Sequence, residues 1–174
     1  MRQVGIVIII LSVIMLFGSA CVSEPGIDKE KFSELDRTAR ELKDSIKPDK
    51  PCDVPDTLLQ RLASGTTALK DKATSKAESD VMAAYAHLLT TYKDGLLLCQ
   101  RRNQLYQFQF VPQGRIYVSQ ELDPLVDKYG LSTERHLYGP TGVYWRSIPG
   151  DSIKVIWESA EIQTRNIENM VNHN

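Results

Sequence analysis

The chain has 174 residues, of which 42% are hydrophobic and 25% charged, with a formal net charge of −1 at pH 7. That length suits a single domain around one core. The near-balance of 21 Lys and Arg against 22 Asp and Glu gives no basic excess of the kind that grips nucleic acid or anionic lipid headgroups. No repeat or low-complexity tract interrupts it.

The first 21 residues stand apart. Arg2 gives a basic start, Val4 to Phe17 is an apolar run with one Ser and one Gly, and Gly18-Ser19-Ala20-Cys21 follows. The run is shorter than the about 20 residues that a membrane-spanning helix needs, and no basic cluster stops it. A plain secretory signal would also end in small residues, but here a cysteine follows them directly. The segment resembles a bacterial lipoprotein signal peptide with its lipobox, with Gly18 where the commonest lipobox has Leu. The resemblance covers residues 1–21 only. It implies export, removal of residues 1–20 and lipidation of Cys21. It also implies tethering to the cell envelope, and Val22 after the cysteine points to the outer membrane, facing the periplasm. One acyl chain holds a protein only marginally, whereas the two or three of a lipoprotein cysteine hold it stably. Residues 21–27 would then be the lipidated cysteine and a short tether, and residues 28–174 one helical domain.

Asp28 to Lys47 reads as a helix with a narrow apolar seam of Phe32, Leu35, Ala39, Leu42 and Ile46, ended by Pro48 and Pro51. A second helix is expected from Asp56 to Lys76, capped by Asp53 or Asp56 with Pro55 in its first turn. Leu58, Leu59, Leu62, Thr66, Leu69 and Ala73 share one face. Gly65 is a weak point that lets a neighbour approach closely. The third helix carries Val81, Tyr85, Leu88, Tyr92, Leu96 and Cys99 at spacings of three and four, with Ser79 or Asp80 as cap. It should reach at least Arg102. Beyond it, Tyr106, Phe108 and Phe110 either continue the seam or alternate as a short strand.

With Cys21 lipidated, Cys52 and Cys99 remain. An even pair in an oxidising compartment is read as a disulfide. If the second and third helices form an antiparallel hairpin turning near Lys76, the two cysteines lie almost equidistant from the turn, at the same end. The bond would close a loop of about fifty residues, worth about 4 kcal/mol in the chain-entropy model.

The last third is less regular. Ser119 to Tyr129 reads as a short helix stopped by Gly130, and Leu131 to Gly150 as loop. Asp151 or Ser152 then caps a final helix carrying Ile153, Ile156, Trp157, Ala160, Thr164, Ile167 and Val171. A rival reading folds Val143–Ile148 and Ile153–Glu158 into a hairpin around Pro149-Gly150. The expected fold is therefore all-α: an up-down bundle of three long helices, a loop-rich segment and a closing C-terminal helix.

No catalytic constellation emerges. His87, His136 and His173 lack metal-ligand spacing, and neither a phosphate loop nor a nucleophile elbow is present. No metal or cofactor is implied. Glu121 and Asp123 are read as favourable charges at a helix start. One segment stands out: Arg135, His136, Tyr138, Tyr144, Trp145 and Arg146 crowd around Gly139, Pro140 and Gly142. Tyr, Trp and Arg are the residue types favoured at binding hot spots. The competing reading has Tyr144 and Trp145 plugging the end of the bundle. Together these features suggest a non-catalytic, lipid-anchored accessory or scaffold protein that contacts the membrane through Cys21 and binds an envelope, transport or secretion partner. The alternative is a periplasmic enzyme or enzyme inhibitor using the Arg135–Arg146 segment on a glycan or peptide.

Overall fold

The computed structural model describes residues 26–104 and 111–173. The helices are α1 (Lys29–Ser45), α2 (Asp56–Leu69), α3 (Lys76–Gln104), α4 (Asp123–Tyr129) and α5 (Ile153–His173). Three strands, β1 (Arg115–Tyr117), β2 (Glu134–Tyr138) and β3 (Val143–Pro149), form an antiparallel sheet in the order β1-β3-β2. The fold is thus mixed α/β, dominated by helix, and the expectation of an all-α bundle is overturned by this sheet.

Four helices pack as a ring of antiparallel neighbours, as their cross-contacts show. Arg61 of α2 bonds Glu41 of α1, and Arg40 of α1 pairs with Glu168 of α5. Gln163 of α5 meets His87 and Thr91 of α3, and a disulfide joins Cys52, ahead of α2, to Cys99 of α3. The core between them holds Phe32, Leu35 and Leu42, Leu62, Tyr85, Leu88 and Tyr92, and Ile156 and Ile167, all essentially inaccessible to solvent. Every residue named on the apolar face of the final helix is buried. Gly65 does permit a close approach: a β-carbon there would lie 2.7 Å from Leu35 Cδ2.

The helix starts follow local hydrogen-bonding chemistry. Asp28 Oδ1 accepts from the Glu30 and Lys31 amides at the head of α1. α2 starts at Asp56 as expected, but its cap differs. Pro55 is its cap residue, and its carbonyl accepts from the Leu58 and Leu59 amides, with no side-chain cap. The helix also ends at Leu69, and a 3₁₀ turn at Lys70–Lys72 finishes the segment. At α3 the cap is Ser75, whose Oγ accepts from the Glu78 amide. Ser79 and Asp80 therefore lie inside the helix. Ser75 and Glu78 have the spacing of a capping box, but the buried Glu78 carboxylate instead accepts from the Thr74 and Asp28 amides and from Lys31 Nζ. It locks the start of α1 to the start of α3.

The segment read as loop contains a β-hairpin. β2 pairs with β3 from Glu134↔Ser147 to Tyr138↔Val143. The turn between them returns the Thr141 and Gly142 amides to the Tyr138 carbonyl, with Gly142 at φ 68°, a conformation that favours glycine. The Val143–Ile148 strand of the rival reading exists, but it pairs backward with β2 and forward with nothing: residues 153–158 are helix. β1 adds to the other edge of β3, and Gly150 donates to the Gly114 carbonyl at 2.7 Å. α4 begins at Asp123, later than Ser119, and ends at Gly130 in the left-handed conformation. Lys128 and Tyr129 both donate to Asp94, fixing α4 on α3.

Candidate functional site

Period-two alternation and the cross-strand register divide the sheet into two faces. Ile116 and Ile148 are paired, fully buried and point into the core. Arg146, Tyr144, Arg135 and Leu137 continue that face outward along the hairpin. The opposite face carries Arg115, Tyr117, Glu134, His136, Trp145 and Ser147.

The six residues singled out in sequence are therefore brought onto one hairpin, but not onto one face. The Arg135 guanidinium lies over the Tyr144 ring at 3.9 Å, close enough for a cation–π interaction. Arg146 pairs with Asp123 at the head of α4. On the other face His136 stacks on Trp145, with ring centroids 4.2 Å apart, and Tyr117 meets Trp145 from the far side at 5.9 Å. Trp145 is half-buried in this aromatic row. The sheet residues that close the bundle are Ile116 and Ile148, on the face opposite Trp145. Tyr144 is 55% exposed and plugs nothing.

Sequence reasoning passed over Ser147. It is fully buried, and its Oγ lies 2.6 Å from Arg115 Nε, which donates to it, and 2.7 Å from His136 Nε2. The serine–histidine distance is that of a nucleophile–base pair. Burial and the Arg115 bond instead make it a strut that ties all three strands together, with Arg115 also pairing with Glu134 at 2.9 Å. Its sequence signal was only a serine inside a β-branched and aromatic run. Glu121 and Asp123 bind Arg101 and Arg146, so both acids are structural. His87 contacts Gln163 and His173 lies exposed at the end of α5.

The hairpin tip is the most apolar exposed part of the described surface. Leu137 is 57% exposed and Val143 61%, with Tyr138 and Tyr144 beside them. Val155 and Ile162 on α5 are the other large exposed hydrophobics among the described residues. Among those residues no group of three His, Cys, Asp or Glu is placed to hold a metal ion, and no helix is long and apolar enough to cross a membrane. Cys21, the lipobox, and the Tyr106–Phe110 alternation lie outside the described residues. Cys52 and Cys99 are bonded, with Cα atoms 5.5 Å apart.

No protein-family model, curated protein or solved structure matches this chain.

Proposed function

We propose that the chain is a lipid-anchored accessory or scaffold protein, held in the cell envelope through Cys21 and facing the periplasm, that binds an envelope, transport or secretion partner through the tip of the β2–β3 hairpin. The observation that carries this reading is where the tip sits. Ile27 begins the packed core. The start of α1 is held there beside the end of α5, through Lys29 to the Asn172 carbonyl, and beside the start of α3, through Glu78. The hairpin is rooted at the other end, where Gly150 approaches Arg102 of α3 just before α5 begins. The two ends are roughly 30 Å apart along α5. A membrane tether ahead of Ile27 would leave the hairpin root at the far end of the domain.

The tip suits protein recognition. Its exposed Leu137 and Tyr144 share the face of the Arg135 guanidinium, and exposed Val143 and Tyr138 lie on the opposite face of the same tip; tyrosine and arginine are among the side chains that dominate binding energy at interfaces. β2 is also an edge strand, and such an edge can accept a further strand.

Two variants separate the halves of the proposal in the full-length protein. Leu137→Asp with Val143→Asp should abolish co-purification of the partner from solubilised envelopes while the protein still sediments with membranes. Cys21→Ser should release it from membranes and stop incorporation of labelled fatty acid. Tip variants that capture the same partners as the wild type would remove the hairpin from the proposal. Membrane attachment unchanged in Cys21→Ser would remove the anchor.

A further inference from the structure

A cleft of about 380 Å³ opens on the other side of the same end of the bundle, between the end of α1, the loop into α2 and the first half of α5. Its size falls within the range of small-molecule sites. The Trp157 indole, Ile46, Pro48 and Pro51 give it apolar walls, and Tyr92 closes it from α3. Burial pushes the Tyr92 hydroxyl up to about 12, so it stays neutral.

The walls are held in place before any ligand arrives. Trp157 Nε1 donates to the Pro51 carbonyl at 2.9 Å. The next residue, Cys52, is bonded to Cys99 of α3. The Lys50 amide donates to the Lys47 carbonyl and closes the loop into a tight turn. A rigid site loses less conformational freedom when it binds.

The rim carries charges of both signs. Lys43, Lys47 and Lys154 line the cleft together with Glu158 and Glu161. Among the described residues Lys47, Lys154, Glu158 and Glu161 enter no ion pair, and Lys43 only approaches Asp44 at 3.9 Å. Lys154 and Glu158 stand four apart on α5 without pairing, whereas nearby Arg40 engages both Asp36 and Glu168.

We infer that this cleft is a binding site for a short zwitterionic peptide, a di- or tripeptide with free ends and an apolar side chain. Its carboxylate would face the lysines, its ammonium group Glu158 and Glu161, and its side chain the Trp157 and Pro51 walls. An anionic amphiphile would satisfy the lysines and the apolar walls but would meet the two glutamates unpaired. The opposed charges favour the peptide.

The chain contains two tryptophans, so the indole signals of Trp157 and Trp145 report on the cleft and the hairpin separately. The full chain, labelled and held in lipid nanodiscs, is titrated with dileucine, N-acetyl-dileucine, dileucine amide and decanoate. Dileucine should shift the Trp157 indole signal saturably and leave Trp145 in place. Each end-blocked peptide should bind about tenfold more weakly, the loss of one charge-assisted contact. Lys47→Met with Lys154→Met should erase the discrimination against the amide. Glu158→Gln with Glu161→Gln should erase that against the acetylated peptide. No saturable shift with dileucine, equal binding of the blocked peptides, or a response to decanoate alone would each overturn the assignment.

Discussion

The Trp157 ring occupies the space that a side chain on Gly95 would fill: a β-carbon there would lie 2.2 Å from Trp157 Cη2 and 2.4 Å from Cζ3. The contact joins α3 to α5, and the indole then reaches the Pro51 carbonyl, so one glycine positions the loop that carries the disulfide. Gly95→Ala should destabilise the protein by about 1–3 kcal/mol through overpacking, although alanine is the better helix former by about 1 kcal/mol. Gly65→Ala is the control. The obstruction there is the end of the Leu35 side chain, which can turn aside, so its cost should be clearly smaller. Urea titrations of both variants check the difference.

Glu78 makes the fold sensitive to acid. Its bond from Lys31 and those from the Thr74 and Asp28 amides outweigh burial and hold its carboxyl down at about 2, below the ordinary 4.5. A carboxyl with a lowered folded-state pKa lends stability that is present above its unfolded value and lost as pH falls through the folded one. That contribution should be complete above pH 4.5 and drain away between about 4.5 and 2. Glu78→Gln should flatten this part of the stability–pH curve and cost about 2–3 kcal/mol at neutral pH. An unchanged acid limb in that variant would refute the assignment.

Removing the Cys52–Cys99 bond should lower stability by about 4 kcal/mol in the chain-entropy model, or about 10 °C in melting temperature for a chain of this size. Cys52→Ala with Cys99→Ala, melted beside the wild type, measures it. Non-reducing mass spectrometry of the folded protein purified without reductant should show the two cysteine peptides linked, and two free thiols would contradict the pairing.

The two tryptophans should behave differently. Trp157 is 8% exposed inside the bundle, and Trp157→Ala should cost about 3–5 kcal/mol. Trp145 is half-buried on the sheet between His136 and Tyr117, and Trp145→Ala should cost clearly less, about 2 kcal/mol. Arg135→Ala should stay within about 0.5 kcal/mol of the wild type. Thermal melts rank the three, and equal losses at both tryptophans would return Trp145 to the core.

The helices were legible because each buries one face, so the sequence repeats at three and four: the seven residues picked on α5 are the seven that are buried. The disulfide was legible because α2 and α3 place Cys52 and Cys99 level. The sheet was not, for physical reasons. The outer part of the hairpin is exposed on both faces, so Glu134-Arg135-His136-Leu137-Tyr138 has no apolar–polar alternation to read. β1 is three residues long and gains its stability from pairing with β3. Val143-Tyr144-Trp145 did carry a strand signal, but sequence could not show that it pairs back across Gly139–Gly142 and not forward across Pro149-Gly150. The six aromatic and basic residues were found as a group. Their division between two faces, and the buried Ser147 strut, depend on register that only the paired strands define.

The most direct test of the central claim is site-specific photocrosslinking in intact cells, with the probe at Val143 on the hairpin tip and, as control, at Ile162, an exposed position of similar polarity on α5. The account predicts one discrete crosslinked envelope protein from Val143, abolished by Leu137→Asp, and none of that species from Ile162. The same product from both positions, or one from Ile162 alone, would contradict it.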